Sequence, residues 1–329
     1  MQGDGGACVP VLSASVEIVE IQAFMTAVDG RAVVDGGPSG SAEATGAAAG
    51  GAGPAEVPPR RSRAGRNLPA AIAVGVLLGA IILVPLFTVR AAFVGVISVA
   101  VALGTWEVIR AVWLTGVRVP PVPLVAGALA MPAVAYVEGT TGLLLTLAAT
   151  VGAGVAVRAV GPAEGLVRDV GGIAFVAGYV GFPAGFAALL TEPSDGSWRV
   201  LAFLATVVAS DVGGYTAGVL SGGRHKMAPS VSPGKSWEGF AGSAVGCVLV
   251  AGILLAWPLG AHAWQGVLIG LATACTATIG DLGESLLKRD IGIKDMSNLL
   301  PGHGGVMDRL DSLLCTAPVA WLLLTAFLD

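Results

Sequence analysis

The chain reads as an all-α, polytopic integral membrane protein, and three observations lead there. Its 329 residues are 54% hydrophobic and 12% charged, whereas soluble domains carry about 25% charged residues. Its apolar residues fall into repeated runs of about 17–23 residues, each long enough to cross a hydrocarbon core of roughly 30 Å as a helix. Its basic residues fall on alternate sides of those runs. The runs place nine spans at 68–88, 91–113, 121–137, 140–157, 171–191, 199–220, 239–258, 262–280 and 312–328.

With the N-terminus in the cytosol, the inner segments hold 15 of the 18 Lys and Arg residues: the Arg60–Arg66 cluster, Arg110, Arg118, Arg158, Arg168, Arg224, Lys226, Lys235, Lys288, Arg289, Lys294 and Arg309 among them. Only Arg90 and Arg199 fall outside, and Arg31 lies far into the tail. This positive-inside bias places the polar segments 221–238 and 281–311 on the cytosolic side of a cell membrane. Residues 1–67 form a separate Gly/Ala/Pro-rich tail ending in a basic anchor, and 68–329 form the transmembrane domain, whose motifs lie in 199–329. From Gly36 to Pro59 the tail has no aromatic residue and too little apolar surface to order itself. Cys8, Cys247, Cys275 and Cys315 are scattered, with neither metal-ligand spacing nor a disulfide framework. Nothing points to nucleic acid.

Residues 68–191 hold little chemistry. Glu107 and Arg110, near the inner end of the second span, read as a local helix pair or as interfacial snorkelling. Residues 199–328 hold nearly all the reactive side chains. Asp211, in Ser210-Asp211-Val212-Gly213-Gly214-Tyr215, is a carboxylate within the sixth span; such a group faces a protein interior or a wet cavity, unless it only serves helix packing beside its glycines. Asp281, Glu284, Ser285 and Lys288 share one helix face at i, i+3, i+4 and i+7. Asp308 and Asp311 are one turn apart, with Arg309 between them. Pro301-Gly302-His303-Gly304-Gly305 offers backbone N–H groups to an anion, or simply a tight turn. Ser232-Pro233-Gly234-Lys235-Ser236-Trp237-Glu238-Gly239 brings a lysine, but lacks the upstream glycines and strand of a P-loop. Acids among lysines and arginines suit Mg²⁺ and phosphates, since magnesium takes oxygen ligands and completes its shell with water and substrate phosphates. No His/Cys set suits zinc, and no Gly-x-Ser-x-Gly elbow is present.

Ser285-x-x-Lys288-Arg289, Lys294-Asp295 and Pro301-Gly302-His303-Gly304-Gly305-x-x-Asp308-Arg309-x-Asp311 resemble the signature of the phosphatidate cytidylyltransferase (CDP-diacylglycerol synthase) family, with matching spacing over about 27 residues. The 232–239 and 210–215 segments look like two further blocks of that family. The resemblance implies transfer of CMP from CTP to phosphatidate in phospholipid biosynthesis. It implies Mg²⁺ on Asp281 and Asp308, with Asp211 and Asp311 as further candidates and a monovalent cation such as K⁺ beside it. It casts Lys288 and Arg289 as catalytic. Ser232, Lys235, Ser236, Glu238, Ser285, Lys294, His303, Gly304, Gly305 and Arg309 would bind substrate. A homodimer is left open. Gly234 departs from a frequent lysine, Ser236 from a frequent threonine, and Val212 and Gly214 from threonine and alanine. Two other readings share parts of the pattern: a polyprenyl-phosphate sugar-phosphate transferase, which would not match this signature, and a transporter, which would place its polar groups at the midplane of repeated halves.

The sidedness is open to measurement. In a background without the native cysteines, Ser230→Cys is expected to react with an impermeant thiol reagent only after the cell membrane is opened; labelling in intact cells would invert the assignment.

Overall fold

The structure, a computed structural model, describes residues 68–297, 299 and 304–329. The expected tail at 1–67 and the Pro301-Gly302-His303 part of the glycine turn lie outside the described residues. The helices are α1 (Leu68–Thr88), α2 (Arg90–Leu114), α3 (Pro121–Ala159), α4 (Leu166–Val176), α5 (Phe182–Leu189), α6 (Gly196–Leu220), α7 (Trp237–Ala256), α8 (Ala263–Ile291) and α9 (Met307–Leu328). A π turn, Ala177–Gly181, joins α4 to α5 within one span. By length and composition, seven helical segments among the described residues are apolar enough to cross a membrane. The fold is therefore that of a multi-pass membrane protein. Their outer faces carry exposed Leu145, Leu220, Leu249 and Ile253, as a lipid-facing surface requires. Trp198, Trp237, Trp257 and Trp264 sit at helix ends, where an indole spans the boundary between hydrocarbon and water.

The tally of seven differs from the nine expected spans for two reasons. Of α1, the stretch Gly75–Thr88 enters that tally as a shorter apolar helix. The expected third and fourth spans form one 39-residue element, α3, interrupted at Gly139 (φ 65°, ψ −156°). A straight helix of that length would reach about 58 Å. Instead α3 folds back on itself: a Cβ added to Gly127 would lie 2.1 Å from the Thr150 hydroxyl.

Three further boundaries shift. The eighth span runs on to Ile291, where Gly292 (φ 81°) closes it with Ile293 N–H to Lys288 O at 2.9 Å and Gly292 N–H to Arg289 O at 3.2 Å. The last span starts at Met307 rather than 312, so Asp308 and Asp311 are helical. The segment 221–238 is not a plain loop. It holds an antiparallel hairpin, β1 (Lys226–Ala228) and β2 (Ser232–Ser236), which pairs backbone groups that no membrane helix takes up.

The reactive residues ride on α6–α9, which pack in sequence order; α9 also leans back on α2 and α5. Between α6 and α7 the contact is made by backbone. A Cβ on Gly242 would lie 2.3 Å from Ala217 Cβ, and one on Gly246 would lie 2.8 Å from Ala209 O. Small residues allow this approach where lipid supplies no hydrophobic force between helices. The two exceptions to the charge pattern have structural employment. Arg90 donates to the carbonyls of Thr191 (3.1 Å) and Pro193 (2.7 Å), while Arg199, 4% exposed, pairs with Asp195 (2.8 Å) and Asp329 (2.7 Å). Arg158 is likewise more than a topology anchor: it is buried against Asp169 at 2.7 Å, and Asp169 also accepts the Arg118 N–H at 2.9 Å.

Gly242→Val is expected to force α6 and α7 apart and to cost about 1–3 kcal/mol, read as a lower melting temperature in detergent. An unchanged melting curve would show that the contact has slack.

Candidate functional site

The site is built from the outside inward. Ser236 ends β2 and starts α7: its Oγ accepts the Gly239 N–H at 3.1 Å, so its hydroxyl is committed as a helix cap. Glu238 accepts from His225 Nδ1 at 2.6 Å and braces the hairpin against α7. That brace directs Lys235 toward α8, where its ammonium pairs with Asp281. Lys235, Ser236 and Asp281 line a cleft of ≈ 190 Å³ together with Asp211, Tyr215 and Ser243. Asp211 is exposed on α6, facing this cleft, and the adjacent Gly213 and Gly214 serve the packing against α7; the motif does both jobs that its sequence allowed. Gly234 also lines the cleft, with open space beside it that a side chain could enter.

Deeper in, α8 and α9 come close because Gly280 has no side chain: a Cβ there would lie 2.5 Å from Asp311 O. Lys288 bridges the two helices, donating to Glu284 at 2.9 Å and to Asp308 at 2.6 Å. The carboxyl of Asp311 is an electrostatic neighbour of Glu284. Glu284 is 2% exposed, and its Oε1 has no donor among the described residues. Asp308 is held from its other side by the Gly305 N–H (2.7 Å) and the Met296 N–H (3.3 Å). Gly304 (φ 83°) makes the turn, since a Cβ there would lie 2.9 Å from Asp308 Oδ2. The result is two ionic clusters, Lys235 with Asp281 and Lys288 with Glu284 and Asp308, with Asp311 an electrostatic neighbour of both.

The remaining candidates surround it. Arg289 is exposed and its Nε reaches Val231 O at 3.4 Å, at the hairpin turn; Lys294 and Arg309 are exposed, and Ser285 and Ser232 are half-buried. Arg309 and Lys235 lie within electrostatic range of Asp211. His303 lies outside the described residues.

Two participants were not singled out by sequence. Glu107, read as a local pair or a snorkelling group, is instead 3% exposed and turned inward: it accepts from Ser297 Oγ (2.5 Å), Val306 N–H (3.0 Å) and Met307 N–H (2.7 Å). Its partners stand about 200 residues away, beyond any helical periodicity. Tyr179, on the π turn, has a buried hydroxyl without a partner among the described residues, and Glu284 and Asp311 are its electrostatic neighbours. Such turns recur at functional sites, but an apolar run gives no sign of one.

Among the described residues, no three His, Cys, Asp or Glu side chains converge closely enough to hold a metal by themselves. The donor set still fits Mg²⁺. It consists of carboxylates, includes the orphaned Glu284 oxygen, and needs to supply only one or two ligands where a substrate brings phosphates. Lys235 and Lys288 meanwhile occupy the carboxylates as positive charges.

Lys288→Met is expected to cost about 3 kcal/mol, because it strands Glu284 and Asp308 without their cation. Adding Glu284→Gln should recover part of the loss; strictly additive melting shifts would show that the bridge is not coupled.

The model of the cytidylyltransferase family matches residues 69–327. A phosphatidate cytidylyltransferase of Mycobacterium leprae is 44% identical over 280 residues, covering 80% of this chain and 89% of the relative. One of Mycobacterium tuberculosis (strain H37Rv) is 41% identical over 286 residues, covering 80% and 84%. One of Haemophilus influenzae is 40% identical over 132 residues, covering 39% and 46%. With a family match across nearly all the described residues and two relatives of this identity over most of their length, the chain belongs to the cytidylyltransferase family.

Proposed function

We propose that this chain transfers the cytidylyl group of CTP to phosphatidate, giving CDP-diacylglycerol and pyrophosphate, at the cytosolic face of the cell membrane. The observation that carries the reading is the cleft where Lys235 and Asp211, from the 232–239 and 210–215 segments, meet Asp281, one turn ahead of the Ser285–Asp311 signature. The names of the relatives support the substrate pair, and the 15-to-2 division of basic residues supports the side. The same division supports nine crossings with a cytosolic N-terminus, counting α1 and both legs of α3.

In this reading a phosphatidate phosphate oxygen attacks the α-phosphorus of CTP, and the bond to the β-phosphate oxygen breaks, releasing pyrophosphate. The nucleophile is already ionised at neutral pH and needs no general base. Lys235, Arg289, Lys294 and Arg309 meet phosphates, with the arginine forks suited to two oxygens at once. Lys288 holds Asp308 and Glu284 in place between turnovers. Ser232, Ser285 and the Gly304-Gly305 backbone would meet substrate phosphates, and the resemblance adds His303 to them. Asp281 and Asp308, with Asp211 and Asp311 beside them, would hold Mg²⁺, and a K⁺ ion would fit among the remaining acids. When bound, the divalent ion supplies charge neutralisation for the triphosphate and the departing pyrophosphate.

Purified protein given CTP, phosphatidate and Mg²⁺ is expected to form CDP-diacylglycerol. Asp308→Asn and Asp281→Asn should each lower turnover on the order of 10³-fold while remaining folded. Turnover of a sugar nucleotide with polyprenyl phosphate, and none with CTP, would overturn the reading; near-normal turnover in Asp308→Asn would overturn the metal assignment.

A further inference from the structure

Asp308 hangs from two backbone donors, and each donor is followed in the chain by a residue tied to Glu107. Gly305 N–H donates to Asp308 at 2.7 Å, and the next residue, Val306, donates its N–H to Glu107 at 3.0 Å. Met296 N–H donates to Asp308 at 3.3 Å, and the next residue, Ser297, donates its Oγ–H to Glu107 at 2.5 Å. Met307 N–H adds a third bond to Glu107 at 2.7 Å. The α9 N-cap, Val306, has no side chain able to accept these N–H groups, so a carboxylate from α2 does so. The position suits a carboxylate, because the first turn of a helix presents unpaired donors and a positive dipole end.

We infer that Glu107 is a positioning residue for the transfer reaction: it pins both backbone segments that cradle Asp308. The inference rests on the reading that Asp308 serves the reaction. Glu107→Gln is a sharp probe. Glutamine keeps the size and one acceptor oxygen but turns an NH₂ group toward donors that the second carboxylate oxygen had accepted. The cradle then loosens on one or both sides, and a displacement of about 1 Å at a reacting group costs on the order of 10²-fold in rate.

The experiment uses the full chain in detergent. It measures kcat and KM for CTP and phosphatidate, together with amide hydrogen exchange at Met296, Gly305 and Met307. Glu107→Gln is expected to lower kcat about 10²-fold with KM for CTP little changed, and to speed exchange at those three amides while α6 and α7 keep native exchange. Ser297→Ala, which cuts one tie, should shift both readouts less in the same direction, and Glu107→Asp, which restores the charge, should recover part of kcat. Fast exchange with native kcat would reduce Glu107 to a structural role and overturn the inference. A loss of kcat with native exchange would overturn it too. If Glu107→Gln does not fold, native kcat in Ser297→Ala overturns it. Full turnover in Asp308→Asn would instead remove the underlying reading, which separates the two failures.

Discussion

The constraint from which the arrangement follows is that a charged group among apolar helices needs a partner, in a medium that does not solvate charge. Glu284 is almost wholly enclosed, and an uncompensated carboxylate there would cost several kcal/mol. Lys288 resolves this from the same helix and reaches across to Asp308, so one ammonium sets both the depth and the rotation of α9 against α8. Gly280 permits the separation that this bridge needs. Asp308 in turn fixes the Gly304–Gly305 turn, and Glu107 carries the restraint to α2. A chain of ionic and backbone hydrogen bonds therefore runs from Glu284 through Lys288, Asp308 and the Gly304–Gly305 turn to Glu107 in the otherwise apolar first half.

That chain works because the helices bearing it are held close by what they lack. Gly213, Gly242 and Gly246 let α6 and α7 touch through backbone, and Gly214 leaves room for Ser243, whose hydroxyl donates to Ser210 O at 2.6 Å. Bulk on these faces would move Asp211 relative to Asp281 without touching either. The hairpin solves a different problem: its few strand bonds and the Ser236 cap aim one lysine at one aspartate.

Much of this was legible in the sequence, because bilayer thickness fixes helix length and helical periodicity fixes faces. The shared face of Asp281, Glu284 and Lys288 and the one-turn spacing of Asp308 and Asp311 follow from 3.6 residues per turn. The ends were less legible: the apolar run of the eighth span stops at 280, while the helix continues to Ile291, closed by the Gly292 cap. Glu107 was misread because its partners are remote in sequence, and a lone acid near an arginine looks like a local pair. The π turn under Tyr179 and the strands at 226–236 depend on tertiary packing and leave no periodic trace. The family resemblance drew attention to these residues; only their geometry shows that lysines sit on Asp281 and Asp308.

The break in α3 bears on how the protein is made. Its two legs are joined by little more than Gly139, which leaves no loop long enough to be carried across the bilayer on its own. In the nine-span reading the two legs cross as a hairpin, and the chain emerges on the side from which it came. A residue that disfavours positive φ at position 139 would bias the nascent segment toward one continuous rod of about 58 Å. The harm would then fall on biogenesis: every later segment would be delivered to the wrong compartment, although no residue of the distant site had changed.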